Sequence, residues 1–189
     1  MDQNLIEQTP ILLSSHEVVR KICSPIFELF SLSFFRFLRV YKDNSRINLC
    51  THPQWTSFFY SQNLYNVSWF DSLYNNIKNF EVIWDIKAAC QDNIVGIHAR
   101  ENFNIHHGFS LIRNYHSYYE IYDFATDDPH QILNDIYLQH IEIFEKFLFY
   151  FKDQAADLIK DFAKNKIILK DNIIKANTTR ATASKLLAP

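Results

Sequence analysis

The chain predicts an α+β fold, a five-stranded antiparallel sheet sandwiched between helices, and three observations carry that expectation. Short β-type runs adjoin through polar turns at two places, 35–50 and 108–125, which is how antiparallel hairpins read. Helical runs stand before, between and after those hairpins, so each sheet face has helices to cover it. The 189 residues are 48% hydrophobic with 2 Gly and 5 Pro, enough apolar material for one substantial core and little for linkers.

The elements follow in order. Ser14-Ser15-His16-Glu17 has the form of a capping box with Ser14 as N-cap. Val19, Ile22, Ile26, Phe27 and Phe30 then fall at helical spacing, so a helix is expected over 15–30, kinked or broken at Pro25. Phe35, Phe37, Leu38 and Val40 read as a strand, Lys42-Asp43-Asn44-Ser45 as its turn, and Arg46 to Cys50 as the returning strand. Pro53 opens a short helix through Gln62, because its missing N–H is harmless in a first turn. A second helical stretch is expected over 69–77, a strand over 81–84, and a helix over 88–102 with Ala88, Ala89, Ile94, Ile97 and His98 inward. The second hairpin pairs 108–113 with 118–125. Asp127-Asp128-Pro129 then reads as a helix start, and Leu133, Ile136, Tyr137, Ile141, Phe144, Leu148 and Phe151 predict one helix running from 129 to 163. Residues 1–164 are therefore expected to form the folded domain, and the polar, small-residue stretch 165–189 a linker or tail.

Composition removes several functions. A net charge of −2 with no run of Lys or Arg leaves no footprint for nucleic acid or an acidic membrane. No stretch reaches the ~18 apolar residues of a membrane span, and no secretory signal precedes the first helix. Cys23, Cys50 and Cys90 are odd in number and far apart, which fits a reducing, cytoplasmic setting and no zinc or disulfide framework. His98, His106 and His107 lack a metal-ligand spacing, and two glycines cannot build a phosphate loop. No cofactor, no metal and no enzymatic role is expected.

Residues 52–84 concentrate aromatic side chains, including all 3 tryptophans. Rings with a polar tip suit a cavity that holds a small apolar ligand and hydrogen-bonds its head group, although the same rings fill cores. Their order carries more information. A His-led segment, His52-Pro53-Gln54-Trp55, is followed by Phe59-Tyr60, then Ser68-Trp69, then Val82-Ile83-Trp84, then Phe103 to Ile105 and Gly108 opening the second hairpin. Over roughly residues 15–162 this resembles the N-terminal autoinducer-sensing domain of LuxR-type transcription regulators, a PAS-like α/β/α domain of bacterial quorum sensing.

The resemblance implies a ligand space between the sheet and residues 53–78, lined by Trp55, Phe59, Tyr60, Trp69 and Trp84. It also implies a homodimer, for which the long C-terminal helix, with Phe147, Phe149, Tyr150 and Phe151 on more than one face, offers a seam. DNA would be reached only through a helix-turn-helix domain that 165–189 are too short and polar to form. Where the family has an aspartate for the ligand amide this chain has Ser68, and the family's tyrosine falls on Phe59. An acyl-homoserine lactone is therefore not the expected ligand, and Asp71, Ser110, Glu120 and Asp123 join the candidate polar contacts. The alternative is a stand-alone interaction module of the same fold whose pocket is filled by its own aromatics, Trp69 above all.

Overall fold

Large apolar residues alternating with arginine in Phe34-Phe35-Arg36-Phe37-Leu38-Arg39 build the central strand of the computed structural model, which describes residues 14–66, 79–85, 93–131 and 133–169. In chain order the elements are α1 (His16–Phe30), β1 (Phe34–Tyr41), β2 (Arg46–Cys50), α2 (Pro53–Ser61), a 3₁₀ turn (Leu64–Asn66) and β3 (Phe80–Ile83). There follow α3 (Ile94–Phe103), β4 (His106–Asn114), β5 (Tyr118–Thr126), α4 (Asn134–Gln139), α5 (Ile141–Gln154) and α6 (Ala156–Lys164). The five strands form one sheet in the order β2-β1-β5-β4-β3, antiparallel throughout. The expected α+β sandwich is what the chain adopts.

Side-chain alternation gives the sheet two different faces. Phe35, Phe37, Tyr122 and Phe124 point to one face and meet α5, with Phe35 and Phe151 rings 4.7 Å apart and Phe124 and Phe144 5.0 Å apart. Helix α1 lies on the same side, its Phe30 stacked on Phe144 at 4.8 Å. Arg36, Leu38, Ile121, Asp123, Ser110 and Ile112 point the other way, where the Arg36 guanidinium lies 5.5 Å from the Phe59 ring of α2. Both sheet faces are thus covered.

Several local expectations are corrected. Helix α1 runs through Pro25 without a break, because the Ser24 hydroxyl donates to the Lys21 carbonyl that the proline leaves without its usual amide donor. Its cap position falls on Ser15 and not Ser14, without a side-chain capping bond. In α3 the cap is Asn93, which accepts from the Val95 N–H, and the fully buried inward position is Ala99, while Ile94 in the first turn is exposed. Ala88 and Ala89 lie outside the described residues, as does the helix expected over 69–77.

The expected helix over 129–163 is three helices. Asp128 does not cap one; its carboxylate accepts from the His130 N–H in a tight turn, and the Pro129 carbonyl is held by His107. That pinned loop delays the helix to Asn134. Bends at His140 and Ala155 then let one apolar stripe follow the twisted sheet, from Tyr137 stacked on Phe109 to Phe151 against Phe37. The folded core also continues beyond Lys164: Ile167 exchanges two backbone hydrogen bonds with Arg46, and Ile167 and Leu169 are buried.

Candidate functional site

Helix α2 starts where the proline allows it, and Trp55, Phe59 and Tyr60 fall on its inner side, each buried. Trp55 packs against Phe58, Phe59 and the edge of Phe103. The outer side of α2, with Gln54, Ser57 and Phe58, borders with Phe103 of α3 an open groove of about 570 Å³ whose lining includes no sheet residue.

The register lays out the sheet face beneath α2 in rows. One row crosses the strands as Cys50, Arg36, Asp123, Ser110 and Val82, and the next as Asn48, Leu38, Ile121, Ile112 and Phe80. The first row is polar and closed on itself. Arg36 donates to Asp123 Oδ2 through Nε at 2.6 Å and Nη2 at 2.5 Å. The Ser110 hydroxyl donates to Asp123 Oδ1 at 2.5 Å, and the Trp84 indole N–H donates to Ser110 Oγ at 2.8 Å. Asp123 and Ser110 are fully buried and Arg36 nearly so. Burial alone would discourage the Arg36 charge, but the Asp123 carboxylate outweighs it and holds the guanidinium above its ordinary value.

The second row is apolar except at its β2 end. Leu38, Ile112 and Ile121 form a buried cluster with Val40 and Val82, and Trp84 packs against it. Asn48 donates through Nδ2 to the Tyr60 hydroxyl at 3.3 Å. Burial raises the Tyr60 phenol above its ordinary value, so it stays protonated.

Of the sequence-based candidates, the fold brings together Trp55, Phe59, Tyr60, Trp84, Ser110 and Asp123 on or under one face. Glu120 is not among them. It points to the opposite face, where Arg39 donates to it at 2.6 Å, the Tyr122 hydroxyl at 2.6 Å, and Lys152 lies 3.6 Å away. Ser68, Trp69 and Asp71 lie outside the described residues. Sequence reasoning missed Arg36 and Asn48. A charged residue alternating with phenylalanines in β1 was the available signal for Arg36; nothing local marks Asn48. Gly108 owes its place to close packing, not to a positive φ: a Cβ built there would run into the Trp84 ring. Among the described residues no group of three His, Cys, Asp or Glu side chains is placed to hold a metal ion.

Two histidines bracket this face and give it a pH signature. His107, in the left-handed region at φ 50°, has Nδ1 2.7 Å from the Asp85 carboxylate and Nε2 2.9 Å from the Pro129 carbonyl. Both neighbours only accept, so the doubly protonated ring suits them best. Partial burial opposes that charge, yet Pro129 and Asp85 outweigh it and raise the His107 pKa above 6.5. His52 goes the other way: burial, helped by Arg20, lowers it from 6.5 to about 4. The raised group stabilises the fold fully below 6.5, and that contribution fades as pH rises through its folded value. The lowered group stabilises it above 6.5, and that contribution fades as pH falls to about 4. Melting temperature against pH should therefore decline on both sides. His107→Gln is expected to flatten the alkaline limb and His52→Gln the acid limb, each leaving the other in place.

No protein-family model matches the chain, and no curated protein matches it in sequence. Solved structures do. SdiA in complex with octanoyl-rac-glycerol superposes with a TM-score of 0.55 at 11% identity, covering 84% of this chain and 68% of that one. Escherichia coli SdiA in a separate crystal form gives a TM-score of 0.52 at 11% identity, covering 92% and 71%. The chain has the SdiA fold. SdiA is a LuxR-type quorum-sensing regulator, and the match lies in its ligand-binding domain, as the order of aromatic landmarks implied. The five-stranded antiparallel sheet with its flanking helices is the α/β architecture that matches the SdiA domain. Among the described residues no helix is long and apolar enough to cross a membrane.

Proposed function

We propose that this chain is the small-molecule-sensing domain of a LuxR-type transcription regulator, acting in the cytoplasm and signalling through ligand-dependent folding and dimerisation. The observation that carries the reading is one sheet face: a polar row that meets the Phe59 ring of α2 at Arg36 and ends on the Trp84 indole lies directly beside an apolar row that packs with Trp84 and meets Tyr60 at Asn48. That pairing suits an amphiphile with a small polar head, the chemistry that octanoyl-rac-glycerol brings to SdiA. The role is binding and not catalysis; burial holds the thiols of Cys23 and Cys50 above their ordinary value, far from a reactive thiolate. DNA would be contacted by a separate helix-turn-helix domain, with the residues after 169 as the connection.

Dimerisation is assigned to α5. Phe147 and Phe151 are buried against the sheet, whereas Phe149 is 69% exposed and Tyr150 42% exposed. Lys146 and Asp153 extend that exposed stripe at helical spacing. In an antiparallel pair of α5 helices centred on Phe149 and Tyr150, Lys146 of each copy faces Asp153 of the other, which makes the stripe self-complementary.

A second reading has its own support. Trp55, Phe59, Tyr60 and Tyr65 are all nearly fully buried, as expected for an interaction module whose pocket is filled from within. Native mass spectrometry of the purified protein, with organic extraction, separates the two. The sensor reading expects a dimer carrying an organic molecule of defined mass, and a Phe149→Glu variant that is monomeric. A ligand-free protein whose melting temperature is unmoved by host lipid extracts would favour the module.

A further inference from the structure

We propose that Asn48 is the head-group acceptor of the site, taking a hydroxyl of an uncharged amphiphile whose apolar chain lies over Leu38, Ile121 and Ile112. This rests on the sensor reading above and names its ligand class. Asn48 is 3% exposed, yet among the described residues its Oδ1 has no hydrogen-bond partner. A buried amide oxygen left unpaired costs about 1–3 kcal/mol, so such an atom is rarely left over without a reason. Turning the amide over does not remove the problem. Tyr60 would then donate to the oxygen, and the NH₂ group would be the one left without an acceptor. In either orientation one end of Asn48 has an unmet bond, and a hydroxyl, which both donates and accepts, meets it in both.

The neighbours fix the rest of the ligand. In the polar row both Asp123 oxygens are engaged, one by Arg36 and one by Ser110, and Ser110 in turn takes the Trp84 N–H. That row is balanced as it stands, with the guanidinium matched by a carboxylate, so it does not call for a charged ligand. The row holding Asn48 continues through Leu38 and Ile121 to Ile112, each buried and apolar. From β2 to β4 that is three strand spacings, about 14 Å, with one polar group at its end. A hydroxyl head at Asn48 and a chain along the row match this layout, whereas an ionic head finds no free countercharge in the Arg36–Asp123 pair.

The test compares two probes of equal chain length, 1-octanoyl-rac-glycerol and methyl octanoate, by calorimetric titration against wild type and Asn48→Leu. Leucine keeps the branched outline of asparagine but is bulkier, and it takes the Nδ2 donor from the buried Tyr60 hydroxyl. Asn48→Leu is therefore expected to lose some stability and is titrated beside Tyr60→Phe/Asn48→Leu, which removes both polar groups and must give the same change in probe preference. Wild type is expected to prefer the glycerol ester by about tenfold or more, the scale of one buried hydrogen bond. Asn48→Leu should erase that preference while leaving methyl octanoate binding unchanged. If wild type binds both probes and Asn48→Leu keeps the preference, the head group sits elsewhere and the assignment is wrong. Equal binding of both probes by wild type overturns it as well. If neither probe binds wild type, the amphiphile-sensor reading fails first and takes the assignment with it.

Discussion

Asp123→Ala should be among the most damaging single changes in the domain, costing about 3–5 kcal/mol. The carboxylate is fully buried and receives two N–H groups from Arg36 and the Ser110 hydroxyl. Truncation leaves a guanidinium that is 8% exposed with its carboxylate gone, and an uncompensated buried charge is far costlier than the pair was beneficial. Against a typical total of 5–15 kcal/mol, that is a large share of the stability. Urea unfolding measures it as a fall in midpoint at unchanged slope. Two companions give the result its meaning. Asp123→Asn keeps one acceptor and should lose less. The double variant Arg36→Leu/Asp123→Leu removes both charges and should recover most of the loss, showing a coupling energy that neither single change contains. A cost for Asp123→Ala below about 1 kcal/mol, the range of exposed pairs, would mean that water reaches the pair and that this face is not sealed.

The same pair shows what a sequence discloses and what it conceals. Strands β1, β2, β4 and β5 were legible because each hairpin is local: alternation, a polar turn, alternation again. Helix α2 was legible because proline at its first position leaves no donor unsatisfied. Asp123 was a candidate, but its partner lies 87 residues away on a strand that is not its neighbour in sequence, and no local pattern reports a β1–β5 pairing. Glu120 could have been set aside from the sequence. It is three residues from Asp123, and residues an odd number apart on a strand face opposite sides. The Pro25 break failed because the rule counts the missing amide and not the Ser24 hydroxyl that replaces it. The 129–163 helix failed for a different reason. An apolar period of three and four says that the residues share a face, and it is satisfied equally by one straight helix or by three short ones bent around a twisted sheet. Periodicity fixes the phase of a helix far better than its continuity.

Trp55→Ala should match Asp123→Ala in cost, about 3–5 kcal/mol, because a buried indole leaves a large cavity that its neighbours only partly fill. Trp55 is 4% exposed and its ring touches those of Phe58, Phe59 and Phe103, the last from α3, so the loss loosens the α2–α3 contact itself. For a domain of this size the melting temperature should fall by roughly 10 °C. That fall alone does not distinguish a ligand contact from core. The distinction comes from the ligand-induced shift measured on each variant. A ligand that binds only the folded state stabilises by about 2.7 kcal/mol at a hundredfold excess over its dissociation constant. Trp55→Phe keeps most of the packing and should cost less than Trp55→Ala. If the indole lines the ligand space, both variants lose the shift, the phenylalanine variant while still well folded. If Trp55→Phe retains the full shift, the indole is packing between α2 and α3, and the ligand, where one binds, lies wholly over the Leu38–Ile121–Ile112 row of the sheet.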